Sequence, residues 1–369
     1  MPQRWMGPSL VNGERLVETF LGLLRIDSPS GGEQELAECV KAQLMALGAE
    51  VDGDKMGNVI ARLPGQGEPI LLNAHLDSVQ PCLGIRPVVD GDIIRSDGRT
   101  VLGADDRAGV AAILEALRTI VERGLPSPPL DVVLTVMEEA GLRGAKDLDY
   151  GRIRAREGLS LDSSGPVGTL VVAAPYIATI AATVHGKAAH AGLCPERGVS
   201  AILVAAEAIT QMPLGRVDGE TTANIGTIKG GTARNIVPDQ SKLVGEARSL
   251  SEAKLELQIQ RMVEALWRAA AERGAKAEVQ VERTLSGFSL AEDEGIVQKV
   301  VRALNRLGIR PKLASSMGGS DANVFYEHGI KVVNLSVGFE DVHSTREWIP
   351  IEELIKCSEV LVGVLAEGG

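Results

Sequence analysis

Aromatic residues and positive charge are both scarce in this sequence of 369 residues. It has only three Trp, three Tyr and four Phe, so its cores must be built from aliphatic side chains. Its formal net charge of −11 makes nucleic acid and anionic membrane surfaces poor partners. No apolar run approaches the length of a membrane span, and Met1 to Pro8 lacks the apolar segment of a signal peptide. We therefore expect a cytoplasmic protein that binds neither nucleic acid nor membranes.

Cysteine is also rare. The four cysteines, at positions 39, 82, 194 and 357, include no Cys-x-x-Cys pair. That spacing argues against zinc-finger and disulfide frameworks. With 44% hydrophobic and 24% charged residues, the composition is otherwise that of an ordinary globular protein, and the chain is long enough for two domains.

Two patterns of hydrophobic residues alternate along the chain. In residues 1–175 and 284–369, amphipathic helical segments alternate with apolar strand-like runs such as Val132–Met137, which is typical of α/β domains. Residues 176–283 instead follow the order strand, helix, strand, strand, helix, strand, which is ferredoxin-like. We predict a discontinuous α/β domain with a mixed, mostly parallel sheet and helices on both faces. A small α+β domain is inserted into it.

Five apolar runs end on, or close to, a carboxylate or a histidine. The runs at 69–74, 100–104, 132–137, 158–161 and 332–337 precede, in that order, His75, Asp105, the pair Glu138 and Glu139, Asp162, and His343. In α/β folds, ligands and metals gather at the carboxyl edge of the sheet. We therefore expect these side chains to form one site.

Imidazole nitrogens and carboxylate oxygens are donors that borderline divalent metals such as zinc accept, whereas calcium and magnesium prefer all-oxygen shells. Five such ligands are too many for one tetrahedral ion with an open position, and they suit two ions that share a bridging carboxylate. Three carboxylates and a bridging hydroxide would balance the charge of two divalent cations.

Two neighbouring residues have further roles in this hypothesis. Asp77 lies two positions after His75, on the same face of a strand, and can accept the second N–H of the imidazole. Glu138 and Glu139 would point apart in an extended chain. One of them can then bind metal while the other accepts a proton from a metal-bound water.

The motifs around these residues resemble the dinuclear zinc exopeptidases related to peptidase T. The similar stretches are 75–79, 103–109 and 138–141, followed by Asp162 and His343. The resemblance covers nearly the whole chain, and it implies two zinc ions, with cobalt or manganese as alternatives. It places His75 and Asp162 on one ion, Glu139 and His343 on the other, and Asp105 between them. It also implies that Glu138 is the general base and that a cis peptide follows Asp105.

The inserted segment resembles the lid and dimerisation domain of the same family, which implies a homodimer. His190, in the stretch 185–192, would stabilise the reacting carbonyl, and Arg248 would bind the substrate's carboxylate with its bidentate guanidinium. The remaining residues that the resemblance assigns to substrate binding are Asn235 in a turn and Gly318, Gly319 and Ser320 in a glycine-rich loop.

Each signal alone has a simpler explanation. An Asp-Asp pair before a helix is usually an N-cap, and a Glu-Glu pair is usually solvated surface. Here each pair follows an apolar run that should be buried, where an unpaired charge is costly. His190, Arg248 and Asn235 have structural alternatives as a satisfied polar group, a salt bridge and a turn residue.

The leading hypothesis is a dizinc aminopeptidase that hydrolyses the N-terminal bond of short peptides, using a bridging water that Glu138 deprotonates. An N-acyl amino acid deacylase with the same metal site is the alternative, and a peptide- or metal-binding protein without catalysis is a third hypothesis. Four matters stay open at this stage. They are the preference for dipeptides or tripeptides, the native metal, the pathway, and whether His190 acts in its own subunit or across a dimer.

Overall fold

The computed structural model describes residues 9 to 366. The segment Met1–Pro8, used above to judge a signal peptide, lies outside the described residues. The helices of the described part are α1 (Gly13–Leu24), α2 (Gln34–Ala46), α3 (Ala104–Arg123), α4 (Arg143–Lys146), α5 (Ala201–Gln211), α6 (Glu252–Glu272), α7 (Gly295–Leu307), α8 (Asp321–Glu327) and α9 (Ile351–Leu365). The strands are β1 (Glu50–Gly53), β2 (Val59–Leu63), β3 (Ile70–His75), β4 (Pro87–Asp90), β5 (Ile93–Ser96), β6 (Leu130–Thr135), β7 (Glu157–Ser163), β8 (Thr169–Ala174), β9 (Tyr176–His185), β10 (Gly215–Arg216), β11 (Thr221–Gly230), β12 (Gln240–Ser249), β13 (Lys276–Leu285), β14 (Phe288–Ser289), β15 (Lys312–Ser315), β16 (Lys331–Ser336) and β17 (Trp348–Pro350).

Contacts divide the chain into two compact units. The first contains the residues up to Val172, the segment Leu290–Ser315 and the residues from Ser320 onward. The second contains Ala173–Ser289 together with Ser316–Gly319. Among residues 9–366, no helix has both the length and the apolar character needed to cross a membrane.

The first unit contains the predicted mixed sheet. Strands β6, β3, β7 and β16 lie side by side in parallel. Next to β6, β2 pairs antiparallel with β6 and β1 antiparallel with β2, and at the other side β8 pairs antiparallel with β16. Every residue of β3 and β6 is buried, so the centre of the sheet is covered on both faces. This confirms the predicted α/β class. A separate small sheet of β4, β5 and β17 was not predicted.

The second unit is a five-stranded antiparallel sheet in the order β10-β11-β12-β9-β13, with α5 and α6 packed against it. Buried residues alternate with more exposed ones along β9 and β12, as expected for a sheet with one covered face. Leaving out the two-residue β10, which was not predicted, the order β13-β9-β12-β11 is that of the ferredoxin-like fold. The predicted inserted α+β fold is therefore confirmed.

Two local predictions were wrong. Residues 100–103 are not a strand but a buried irregular segment, and Asp105 lies in the non-helical start of α3, which begins at Ala104, instead of ending a strand. The strand predicted to reach Met137 ends at Thr135, because Met137 adopts a left-handed conformation with φ of 54°. As a result, neither of two predicted ligands ends a strand: Asp105 lies at the start of a helix and Glu139 lies in a turn.

Candidate metal centre

Two of the five predicted ligands belong to adjacent parallel strands. His75 is the last residue of β3, and Asp162 lies near the end of β7, which pairs with β3. The His75 Nε2 atom lies 3.1 Å from Asp105 Oδ1 and 3.7 Å from Asp162 Oδ1. We call His75, Asp162 and Asp105 the strand-borne triad, because strands hold two of its members.

The other two ligands are carried by loops. Glu139 lies in the turn after β6, and His343 lies in the loop between β16 and β17 with φ of 59°. The His343 Nε2 atom is 2.9 Å from Glu139 Oε1 and 3.4 Å from Asp105 Oδ2. We call Glu139, His343 and Asp105 the loop-borne triad. Asp105 therefore directs one carboxylate oxygen to each triad.

The geometry of both triads fits divalent cations. In each triad the candidate ligand atoms lie within 4.8 Å of one another, close enough to surround one ion. Two imidazoles and three carboxylates form the donor set that zinc and similar metals accept. Because the triads share Asp105, they suit a pair of ions joined by one carboxylate.

The electrostatics of the metal-free cluster also indicate cation binding. Hydrogen bonds with Asp105 and then Glu139 raise the pKa of His343 to about 10. Burial raises the pKa of the Asp162 carboxyl to about 7. For Asp105, burial acts in the raising direction, but hydrogen bonds from His343 and His75 outweigh it and lower the pKa. Without metal, protons on the imidazoles supply positive charge that a bound cation would replace.

Glu138 is buried beside the two triads. Burial, and next the charge of Asp162, raise the pKa of Glu138 well above its ordinary value. It lies in the same turn as Glu139, and one oxygen of each carboxylate is within 4.8 Å of a His75 ring nitrogen. The prediction that the two side chains point apart assumed an extended chain. The strand has already ended here, so both carboxylates remain at the site.

Asp77 contacts His75 and also holds the turn of the two glutamates. The His75 Nδ1 atom lies 3.0 Å from the backbone oxygen of Asp77 and 3.4 Å from its carboxylate. That carboxylate also accepts backbone N–H bonds from Glu138 at 2.9 Å and Glu139 at 3.2 Å, and the hydroxyl of Ser30 at 2.6 Å. Asp77 thus fixes the turn that carries both glutamates.

The sequence analysis missed several buried residues that support the ligands. Glu33 accepts the N–H of Met137 at 3.0 Å, and Asp106 accepts the N–H of His75 at 3.1 Å. The Asn334 side-chain amide accepts the backbone N–H of Asp162 through its oxygen and donates to the backbone oxygen of Asp162 through its nitrogen. Glu347 accepts two N–H groups at the start of α3, and burial raises its pKa to about 7. Ser30 and Glu33 come from a loop distant in sequence, so no local pattern could identify their partners.

The peptide bond between Asp105 and Asp106 is cis, as the family resemblance implied. Asp105 and Asp106 both have non-helical backbone angles, so the regular turns of α3 begin after them. The carboxylate of Asp106 accepts the N–H of Gly109 at 3.2 Å within this first turn.

In the second unit, His190 is exposed in a loop next to Asn235. Its Nδ1 atom accepts backbone N–H bonds from Gly192 at 3.2 Å and Leu193 at 3.1 Å. An Nδ1 that accepts hydrogen bonds leaves the proton on Nε2, which can then act as a donor. The backbone oxygen of Asn235 accepts the N–H of Ala191 at 3.0 Å, and the Asn235 side chain is exposed.

Arg248 already has partners in the second unit. Its guanidinium bonds both oxygens of Glu246, at 2.8 and 3.0 Å, and the backbone oxygen of Met317 at 3.1 Å. Gly318 and Gly319 belong to the same unit, and a Cβ on Gly319 would lie 2.2 Å from Leu285. Ser320 belongs to the first unit, where its side chain caps α8 in a capping box with Asn323.

Comparison with known proteins gives consistent results. The family described as peptidase dimerisation domain matches residues 172–274, and peptidase family M28 matches residues 58–192. The solved structure of aminopeptidase PepT from Bacillus cereus has 45% identity and a TM-score of 0.92, covering 97% of this chain and 99% of that one. A tripeptidase from Staphylococcus aureus has 39% identity and a TM-score of 0.94 with the same coverage. Peptidase T of Geobacillus thermodenitrificans is 25% identical over 95% of this chain and 98% of its own length.

Proposed function

This chain belongs to the M20 peptidase family, among the PepT aminopeptidases and tripeptidases, and from that premise we propose that it removes the N-terminal residue of short peptides. The reaction is metal-dependent. The observation that carries the proposal is the pair of triads that share Asp105, with the buried Glu138 beside them.

The proposed metal centre contains two divalent cations. His75 and Asp162 would hold one, Glu139 and His343 would hold the other, and Asp105 would contribute one oxygen to each. Zinc is the proposed native metal because imidazole and carboxylate ligands suit it, and cobalt or manganese would fit the same donors. When bound, such ions supply a Lewis acid for the scissile carbonyl and make a water molecule more acidic.

Glu138 is the proposed general base and acid. It accepts the proton of the attacking water and delivers it to the amine of the leaving peptide, which is why it must stay free of metal. Its burial favours proton uptake by disfavouring the charged carboxylate. Asp77 positions Glu138 through the backbone N–H bond. His190, with its proton on Nε2, donates to the carbonyl oxygen as negative charge develops there.

Residues of the inserted segment are proposed to bind the ends of the peptide. Arg248 binds the C-terminal carboxylate, and to do so it must share or exchange its present partner Glu246. Asn235 contributes its exposed amide, while Gly318 and Gly319 offer backbone groups. Ser320, the next residue in the chain, caps α8. We further propose that the protein is a cytoplasmic homodimer formed through its dimerisation domain.

A peptide series with the metal-loaded protein tests the function. A tripeptide with free ends should be cleaved to its N-terminal amino acid and a dipeptide, while the N-acetylated tripeptide should resist cleavage. A dipeptide and a tripeptide amide define the preferred length and the need for the carboxylate that Arg248 would bind. Rapid cleavage of N-acetyl amino acids with no cleavage of free peptides would contradict the proposal. That result would support the deacylase alternative, which the peptidase relatives do not favour.

A further inference from the structure

The two triads differ in how their histidines are held. His75 ends a central strand and is only 2% exposed, whereas His343 has 52% of its side chain exposed and a left-handed backbone. The loop that carries His343 closes through two backbone hydrogen bonds between Glu340 and Trp348, at 2.9 and 3.2 Å. Those bonds fix the base of the loop, and another contact is needed to place His343 relative to Asp105.

Glu347, four residues after His343 in the same loop, makes that contact. Its side chain is buried, with 1% exposed. Oε2 accepts the N–H of Gly103 at 2.8 Å, and Oε1 accepts the N–H of Asp105 at 3.0 Å. One carboxylate therefore ties the His343 loop to the backbone of Asp105, which is another ligand of the same triad.

We propose that Glu347 is a positioning residue for the loop-borne triad, and that it sets the affinity of this triad for its ion without being one of the proposed ligands. The proposal rests on the metal centre proposed above. Hydrogen-bond partners behind metal ligands commonly contribute 10–100-fold to affinity. The strand-borne triad depends on Glu347 less, because β3 and β7 hold His75 and Asp162, and Asn334 binds the Asp162 backbone.

Asp131 provides a matched control. It is also a fully buried carboxylate of the first unit, and it accepts the N–H groups of Arg154 at 2.7 Å and Ala155 at 3.0 Å. It lies at the start of β6, at the opposite end of that strand from the turn of Glu138 and Glu139. Unlike Glu347, it also accepts two N–H bonds from the Arg154 guanidinium, at 2.9 and 2.6 Å. Asp131→Asn is therefore at least as large a perturbation of a buried carboxylate, away from the ligands.

The test is a titration of the metal-free protein with Co²⁺ alone, with the ion's absorption and equilibrium dialysis as readouts. The unmodified chain should bind two ions. Glu347→Ala should weaken one of the two steps by about 10–100-fold and leave the other within a few-fold. Glu347→Gln, which keeps one acceptor oxygen, should have a smaller effect, and Asp131→Asn should change neither step.

A double variant identifies the affected ion. His343→Ala should retain one ion, and adding Glu347→Ala to it should leave the affinity for that ion unchanged. Two unaltered steps in Glu347→Ala would overturn the inference, and so would equal weakening of both steps. Equal losses in Glu347→Ala and Asp131→Asn would show a general effect on folding and would also overturn it. Failure of the unmodified chain to bind a second ion is a separate result, which would contradict the proposed metal centre itself.

Discussion

The strand-borne and loop-borne triads use the same kinds of ligand but hold them by different means. In the first, backbone pairing within the sheet fixes His75 and Asp162 before any ion binds. In the second, Glu139 and His343 lie in turns whose positions depend on the buried carboxylates of Asp77 and Glu347. Rigid elements place ligands more reliably than loops, so loop ligands need supporting hydrogen bonds. The comparison therefore predicts two ions of unequal affinity.

The largest expected effect concerns the ligand that both triads share. Asp105→Ala should abolish binding of both ions, since each triad loses one of its three donors. Peptide hydrolysis should consequently fall by more than the roughly 10²–10⁴-fold that loss of a general base costs. Metal analysis after dialysis and a tripeptide assay measure the two effects. Retention of two ions would contradict the assignment of Asp105 as a ligand shared by both triads.

The next effect separates chemistry from metal binding. Glu138→Gln should lower kcat by about 10²–10⁴-fold while both ions stay bound, because Glu138 accepts a proton and belongs to neither the strand-borne nor the loop-borne triad. Metal content and steady-state kinetics of the same preparation provide the measurement. Two bound ions with normal turnover would rule out Glu138 as the base, and loss of one ion would make it a ligand.

A stability measurement compares the two histidines directly. In metal-free protein, His75→Ala removes the buried partner of Asp105, and the free energy of unfolding should fall by about 1–3 kcal/mol. The half-exposed His343 should cost less to replace by Ala, because solvent screens its ion pairs with Glu139 and Asp105. Urea unfolding of both variants gives the comparison. An equal loss of unfolding free energy in both variants would contradict the conclusion that His75 on its strand is held more firmly than His343 in its loop.

The smallest effect is the release of protons when metal binds. The pKa of about 10 keeps His343 protonated at pH 7 in the metal-free protein, so a bound cation must displace that proton. The release from His343 should diminish as the pH rises through 10, because an increasing fraction of the imidazole is then neutral before metal binds. Calorimetry in two buffers of different ionisation enthalpy measures it. Metal binding without proton release at pH 7 would contradict the charge arrangement described for the cluster.

Much of the fold and the ligand set could be predicted from the sequence. The apolar runs before His75 and Asp162 form central strands because both faces of the sheet are covered, which leaves unbroken apolar runs. The alternating pattern of residues 276–283 likewise predicted β13, because one face of that sheet is covered. Local sequence patterns were sufficient to predict a residue's position wherever that position depends on a single strand or helix.

The supporting contacts could not be predicted, because they join segments far apart in the chain. Nothing near Glu347 indicates that its carboxylate will bind the N–H groups of Gly103 and Asp105, which are more than 240 residues away. The strand ends before the left-handed Met137 because tertiary contacts, including the N–H bond that Met137 donates to Glu33, outweigh its place in a β-prone run. The apolar run before Asp105 led to the wrong expectation that Asp105 ends a strand. Apolar character alone does not distinguish a strand from a buried loop.

Stepwise metal titration of the unmodified chain, followed by hydrolysis of a free tripeptide at each step, tests the central claim most directly. We predict two ions per chain with separable affinities, and loss of hydrolysis when a strong chelator removes them. A single ion per chain, or hydrolysis that persists in the chelator, would contradict the proposal of two triads joined by Asp105.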